Sequence, residues 1–132
     1  MWTMVGELRY HIVWCTKYRR KLLVDKFEIE LKRLIKEIAL DNNWEIIEQE
    51  VMPDHVHLFV KAGSKDSVHR IISQFKGRTS FNLRKIFPEL KSRMPCLWTR
   101  SYYADSIGNA SSETIKKYIL NQKKERRNSS ES

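Results

Sequence analysis

The chain has 132 residues, of which 41% are hydrophobic, and this size and apolar content favour one compact domain with a single core. Lysine and arginine outnumber aspartate and glutamate by 25 to 16, so the formal net charge is +9 and nucleic acid is the expected partner. The positions of Cys15 and Cys96 argue against a disulfide framework, and the lack of a long apolar run argues against a membrane span, so we expect a cytoplasmic protein.

The charges are unevenly distributed along the chain. Residues 61–100 hold ten basic side chains against only Asp66 and Glu89, whereas residues 41–54 hold five acids and no base. This asymmetry predicts one basic face rather than a uniformly positive surface.

The first half of the chain predicts a strand followed by a helix. Apolar and other residues alternate over 8–15, the period-2 pattern of a strand, with β-branched and aromatic side chains that strands favour. Apolar residues then recur at helical spacing over 27–38, and Asp25 with Glu28 resembles a capping box.

The middle of the chain predicts a hairpin and a second helix. Residues 44–51 and 56–60 form the two strand candidates, separated by turn chemistry around Pro53. Ser67 can cap a helix over 68–86, although Gly77 is expected to weaken its middle.

The last part predicts a basic loop at 88–95, a fourth strand at 97–104 and a third helix at 112–124. The order β-α-β-β-α-β is typical of the α+β class, a ferredoxin-like or RNA-recognition-like split βαβ sheet with both helices on one face and the other face free. We expect one domain over residues 1–124, which ends in the third helix, and a polar tail over residues 125–132.

His55 and His57 are two residues apart in the third predicted strand, so both imidazoles project to the same face. Such a pair can hold a metal ion, but on its own it is more often two polar side chains on a wet surface. A third ligand is needed to make the metal hypothesis specific.

Tyr118 and Gln122 are four residues apart on the third predicted helix and therefore share a face. The amide oxygen of Gln122 is able to complete the ligand shell of a hard metal ion. The same spacing also fits an apolar stripe, with Ile115 and Ile119, that simply packs on the sheet.

Several segments together resemble the HUH superfamily, and specifically its single-tyrosine, IS200-like insertion-sequence transposases. The resemblance covers almost the whole chain. It rests on His55-Val56-His57 within the run 52–58, on the opening segments 10–14 and 16–20, on Trp98-Thr99-Arg100-Ser101-Tyr102-Tyr103, and on Tyr118-Ile119-Leu120-Asn121-Gln122.

The resemblance implies a metal-assisted DNA transposase in which the tyrosine helix carries the nucleophile. His55, His57 and Gln122 would hold Mg²⁺ or Mn²⁺, and Tyr118 would form a 5′-phosphotyrosine bond with single-stranded DNA at insertion-sequence ends. It also implies hairpin recognition and a homodimer in which the tyrosine helix completes a site in its own subunit or in the partner.

Basic residues in family-like or strongly positive segments are candidates for DNA backbone contacts. These are Lys17, Arg19, Arg20, Lys76, Arg78 and Arg100. Tyr102 and Tyr103 would either stack on bases or fill the core.

Three other functions fit parts of the sequence. The main one is a non-catalytic module that binds single-stranded nucleic acid, which the basic charge and the predicted sheet would support without metal chemistry. The second is an HUH replication or conjugation nuclease, although these are usually larger. The third is a zinc protein that uses His55 and His57 with His69 or Cys96.

Overall fold

The computed structural model describes residues 7–93, residues 96–107 and Leu120. The elements in chain order are β1 (Glu7–Cys15), a 3-10 turn (Lys17–Arg19), α1 (Lys26–Asp41), β2 (Glu45–Met52), β3 (His55–Gly63), α2 (Val68–Ile86), α3 (Pro88–Arg93) and β4 (Tyr103–Ile107). The third helix predicted at 112–124 and the tail at 125–132 lie outside the described residues, except that Leu120 is helical.

The described strands form a four-stranded sheet in the order β2-β3-β1-β4, and every neighbouring pair is antiparallel. Helix α1 connects β1 to β2 and helix α2 connects β3 to β4, so each crossover passes over one intervening strand. This is the split βαβ topology. The α+β, ferredoxin-like fold predicted from the sequence is confirmed.

One face of the sheet carries the apolar core. Val56, Leu58 and Val60 of β3 are fully buried there. They cluster with buried side chains of both long helices, which include Leu31, Ile35, Ile71 and Phe75. Burying each large aliphatic side chain contributes about 1.5–3 kcal/mol, so this face supplies much of the stability of the fold.

The opposite face carries the odd-numbered residues of β3 and is not free, contrary to the prediction. His11, His57 and Phe59 have exposed fractions of 1%, 2% and 0%. The ring of His11 stacks on Phe59 with centroids 4.6 Å apart and on His57 with centroids 5.4 Å apart. We call this second surface the histidine face.

The fourth strand begins later than predicted, at Tyr103 instead of residue 97. Trp98 makes an isolated bridge with Thr16, and its indole nitrogen donates to the buried Thr79 hydroxyl at 3.0 Å. The aromatic pattern over 97–104 therefore reflects a core anchor followed by a loop. Strand β4 includes residues 103 and 104, the last two of the predicted range. It continues through residues 105–107, which the pattern did not include.

Local signals around the helices had mixed outcomes. Ser67 caps α2 as predicted, since its hydroxyl accepts from the Arg70 amide at 3.1 Å, and Gly77 does not interrupt the helix. The capping box at Asp25 is wrong, because Asp25 has φ 52° and makes no side-chain cap. The loop expected at 88–95 contains α3 instead, with Pro88 at the first helical position, where proline is favoured.

Packing explains why Gly77 does not interrupt α2. Phe75 and Thr79 are buried on either side of Gly77, and their packing outweighs a glycine cost of about 1 kcal/mol.

No helix in the described parts of the chain has the length and apolar character needed to cross a membrane.

Candidate metal and nucleic-acid site

The strand β3 places both histidines of the predicted metal pair on the histidine face. Their ring centroids are 4.9 Å apart and the ring planes are inclined by 73°. His55 has an exposed fraction of 7% and His57 one of 2%. The two imidazoles are therefore neighbours held within the fold, and not separate polar groups on a wet surface.

The spacing of the rings fits two ligands of one divalent ion. An ion about 2.1 Å from a ring nitrogen lies about 3.2 Å from the ring centroid, so two ligands about 90–110° apart separate their centroids by about 4.5–5.2 Å. The observed 4.9 Å falls within this range. Among the described residues no cluster of three histidine, cysteine or carboxylate side chains has metal-binding geometry, so a third ligand of that kind would come from elsewhere.

His55 is oriented by a short chain of charged groups. Its Nδ1 lies 2.6 Å from Oδ1 of Asp54, and Oδ2 of Asp54 accepts from Nε of Arg19 at 3.1 Å. A proton held on Nδ1 by the carboxylate leaves the lone pair on Nε2, the arrangement that metal-binding histidines require. Burial raises the pKa of Asp54, but the hydrogen bonds from His55 and Arg19 outweigh it and lower that pKa below its usual value.

His57 is oriented by a second histidine. Its Nδ1 lies 3.2 Å from Nε2 of His11 on the neighbouring strand β1. When Nδ1 of His57 carries the proton and donates to His11, Nε2 of His57 is the coordinating nitrogen. On the other side, Glu50 of β2 is directly opposite His57 in the sheet register and shares its face. His57 therefore lies between His11 on one neighbouring strand and Glu50 on the other.

The predicted DNA-binding residues at 17–20 lie beside His55. Arg19 and Arg20 are exposed, and Arg19 reaches Asp54 as described above. The segment is fixed to the body of the protein, since the Thr16 amide donates to the Asp54 carbonyl at 3.0 Å and the Lys17 amide donates to the Leu97 carbonyl at 2.8 Å. These three basic residues thus border the end of the histidine face that holds His55.

Lys76 occupies a different environment from the exposed basic residues. Its ammonium donates to the carbonyl oxygens of Thr99, Arg100 and Ser101 at 2.6, 3.3 and 3.3 Å. Burial lowers its pKa, and the nearby Cys15 partly opposes that effect. The contacts of Lys76 hold the loop that precedes β4, and the exposed Arg100 side chain belongs to that loop.

The remaining candidates are dispersed. Arg78 pairs with Asp41 of α1 at 2.6 Å, in the helix layer on the other side of the sheet from the histidines. His69 and Cys96 are both exposed, so neither forms a zinc site with the histidine pair. Tyr118 and Gln122, the predicted nucleophile and third ligand, lie outside the described residues.

Tyr102 and Tyr103 are 40% and 50% exposed. The ring of Tyr103 meets His11 edge-on, with centroids 5.7 Å apart. Tyr103 therefore presents part of its ring to solvent at the histidine face, whereas the centroid of the Tyr102 ring lies 6.0 Å from the ammonium of Lys76 on α2. Neither tyrosine serves mainly to fill the core.

Sequence reasoning missed His11 and Asp54 as partners of the pair. The signal for Asp54 was its position immediately before His55, where a turn returns the side chain to its neighbour. The alternation over residues 8–15 places His11 on one side of β1, but only the strand register brings it next to His57. Register cannot be derived from alternation alone.

Comparisons with known proteins show the family to which the chain belongs. Residues 4–122 match the family described as "Transposase IS200 like". The chain is 35% identical over 120 residues to the ISDra2 transposase TnpA of Deinococcus radiodurans, covering 89% of this chain and 86% of the relative. It is 31% identical over 119 residues to the transposase of insertion sequence IS200 of Salmonella typhimurium, covering 89% and 78%.

Solved structures show the same fold. A crystal structure assigned as a transposase from D. radiodurans R1 superposes with a TM-score of 0.72 at 35% identity, covering 88% of this chain and 91% of the other. A REP-associated tyrosine transposase bound to a REP hairpin matches with a TM-score of 0.52 at 21% identity, covering 88% and 61%. The chain belongs to the IS200-like transposases, a family of DNA-cleaving and strand-transferring enzymes.

Proposed function

We propose that the protein cleaves and rejoins single-stranded DNA at insertion-sequence ends through a covalent bond to Tyr118, with a divalent ion held at the histidine face. The observation that carries this proposal is the His55–His57 pair, with ring centroids 4.9 Å apart and each Nδ1 within hydrogen-bond distance of a partner. Membership of the IS200-like transposases indicates the class of reaction. The His55–His57 pair is the position on this chain that we assign to that reaction.

The proposed ligands are Nε2 of His55, Nε2 of His57 and the amide oxygen of Gln122. Nitrogen and oxygen ligands of this kind suit Mg²⁺ or Mn²⁺. A bound divalent ion would polarise the scissile phosphate and offset the charge that accumulates there during attack. The chain's own contribution is to orient the two imidazoles through His11 and Asp54.

In the proposed reaction the Tyr118 phenolate oxygen attacks the phosphorus atom. The new bond joins that oxygen to phosphorus, the bond from phosphorus to the 3′ oxygen breaks, and the 3′ oxygen leaves as a hydroxyl after taking up a proton. The DNA 5′ end remains attached as a phosphotyrosine. Because the phosphodiester energy is conserved, a second 3′-hydroxyl can reverse the step and rejoin the strand.

The basic border of the histidine face supports DNA binding. Lys17, Arg19 and Arg20 beside His55, together with the exposed Arg100, are the residues we assign to phosphate contacts. The proposal also includes recognition of a DNA hairpin near the cleavage position and action as a homodimer. Both parts derive from the resemblance to the family. The tyrosine helix would complete a site in its own subunit or in the partner.

The test uses labelled single-stranded DNA from the sequences that flank the gene. Wild type and Tyr118→Phe are incubated with this DNA, with and without Mg²⁺ or Mn²⁺, and the products are separated on a denaturing gel. We expect a metal-dependent protein–DNA adduct that the phenylalanine variant lacks. Tight binding without an adduct on cognate ends would instead support a non-catalytic module that binds single strands.

A further inference from the structure

Tyr18 is an aromatic residue whose side chain the fold leaves in solvent. Its exposed fraction is 75%, and its backbone lies in the left-handed region with φ 60° and ψ 19°. Arg19 follows in the same region with φ 54°. A bulky residue rarely adopts this conformation, and such outliers concentrate at functional sites.

Hydrogen bonds fix the backbone of the surrounding segment, so the exposed ring projects from a defined place. Thr16 is fully buried, and its hydroxyl donates to the Arg20 carbonyl at 2.7 Å. The Arg19 amide donates to the Thr16 carbonyl at 3.0 Å, which closes the 3-10 turn. These bonds hold the turn although the Tyr18 ring adds little packing of its own.

The position and the charge of the turn indicate what the ring would contact. Arg19 joins the turn to His55 through Asp54, with an N–O distance of 3.1 Å. The ammonium of Lys17 lies 5.3 Å from the centroid of the Tyr18 ring. An exposed ring among cations is the chemistry that recognises single strands, where unpaired bases stack and the backbone meets positive charge.

We propose that Tyr18 is a stacking platform for an unpaired base next to the phosphate that reaches His55 and His57. This inference rests on the proposed function, because it assumes that single-stranded DNA enters the histidine face. Bases in a duplex are already stacked on their neighbours, so the platform selects single strands. Lys17 and Arg20 supply the phosphate attraction on either side of the ring.

The experiment places 2-aminopurine at successive positions of the single-stranded oligonucleotide used for cleavage. Wild type and Tyr18→Phe should quench the probe at one position near the cleavage point, because either ring can stack. Tyr18→Leu, which keeps the bulk without the ring, should lose that quenching and bind the single strand about five- to a hundredfold more weakly. Affinity for a duplex of the same length should be unchanged.

A third variant separates function from folding. Tyr18→Gly removes the ring and suits the left-handed backbone, so its melting temperature should equal or exceed that of wild type while the quenching disappears. If Tyr18→Leu and Tyr18→Gly both unfold at clearly lower temperature, the ring supports the fold and the inference is wrong.

Two other outcomes would overturn the inference. One is unchanged quenching and affinity in Tyr18→Leu while wild type still forms the covalent adduct, which would leave the proposed function intact. The other is a change in oligomeric state by light scattering without a change in quenching, which would assign the ring to a contact between copies. Absence of an adduct and of single-strand binding in wild type would remove both proposals.

Discussion

The two faces of β3 are both buried, but different interactions bury them. On the core face, Val56, Leu58 and Val60 are apolar and pack against α1 and α2. On the histidine face, His55 and His57 are held by hydrogen bonds to Asp54 and His11. The core face stabilises the fold without directing any group. The histidine face holds Nδ1 of each ring beside a hydrogen-bond partner.

The largest expected effect comes from truncating the core face. Leu58→Ala removes a fully buried side chain and should destabilise the protein by about 2–5 kcal/mol. The measurement is urea unfolding, combined with Mn²⁺ binding at a temperature where the variant remains folded. Affinity for Mn²⁺ should stay unchanged. The matched variant His57→Ala should abolish Mn²⁺ binding, and equal loss of Mn²⁺ binding in both variants would erase the distinction between the faces.

A smaller effect is expected when the partner of His57 is removed. His11→Leu deletes the ring nitrogen 3.2 Å from His57 Nδ1. Loss of such a partner typically lowers metal affinity about ten- to a hundredfold. Titration calorimetry with Mn²⁺ measures this directly. His11→Gln, whose amide oxygen can accept from Nδ1, should recover part of the affinity. Equal affinities in wild type and His11→Leu would show that His11 only fills space.

The salt dependence of DNA binding should show which basic residues beside the histidine face contact DNA phosphates. The exposed Arg20 and the carbonyl-bound Lys76 provide the contrast. Arg20→Gln should reduce the slope of log affinity against log salt for single strands by about 0.7, the value for one phosphate contact. Lys76→Met should leave the slope unchanged. An equal reduction in Lys76→Met would mean that its ammonium leaves the loop for the DNA.

The smallest expected effect is a weaker pH dependence of thermal stability when the Asp54 carboxylate beside His55 is removed. The pKa of Asp54 is lowered in the folded protein, so its contribution to stability is fully present above the unfolded pKa of about 3.9. That contribution is lost as the pH falls through the folded pKa. Thermal unfolding of Asp54→Asn should therefore vary less with pH in this range than that of wild type. Parallel profiles would contradict the role assigned to the carboxylate.

The contrast between the faces also explains what the sequence predicted well. Alternation in β1 and β3 and helical spacing in α1 and α2 identify the core, because burial of apolar residues follows these periods directly. The shared face of His55 and His57 was predicted for the same reason, since residues two apart in a strand lie on one side of it. The start of β4 was missed because Trp98 packs into the core and makes an isolated bridge with Thr16 instead of continuing the strand.

What the sequence did not predict depends on contacts between distant segments. His11 is next to His57 only through the register of β1 and β3. Lys76 was taken as a phosphate contact because it is basic, but its three carbonyl partners come from a loop more than twenty residues away. Charge alone does not distinguish a solvated lysine from one that holds a loop.

The central claim is that the histidine face serves DNA cleavage by Tyr118, and peptide mapping of the covalent adduct tests it most directly. Wild type is incubated with cognate single-stranded DNA and Mn²⁺, digested with trypsin and nuclease, and examined by mass spectrometry. We predict a nucleotide on the peptide of residues 118–123, absent when the ion is chelated and absent in His57→Ala. A nucleotide on Tyr18, Tyr102 or Tyr103 instead, or an adduct that persists without the ion, would contradict the account.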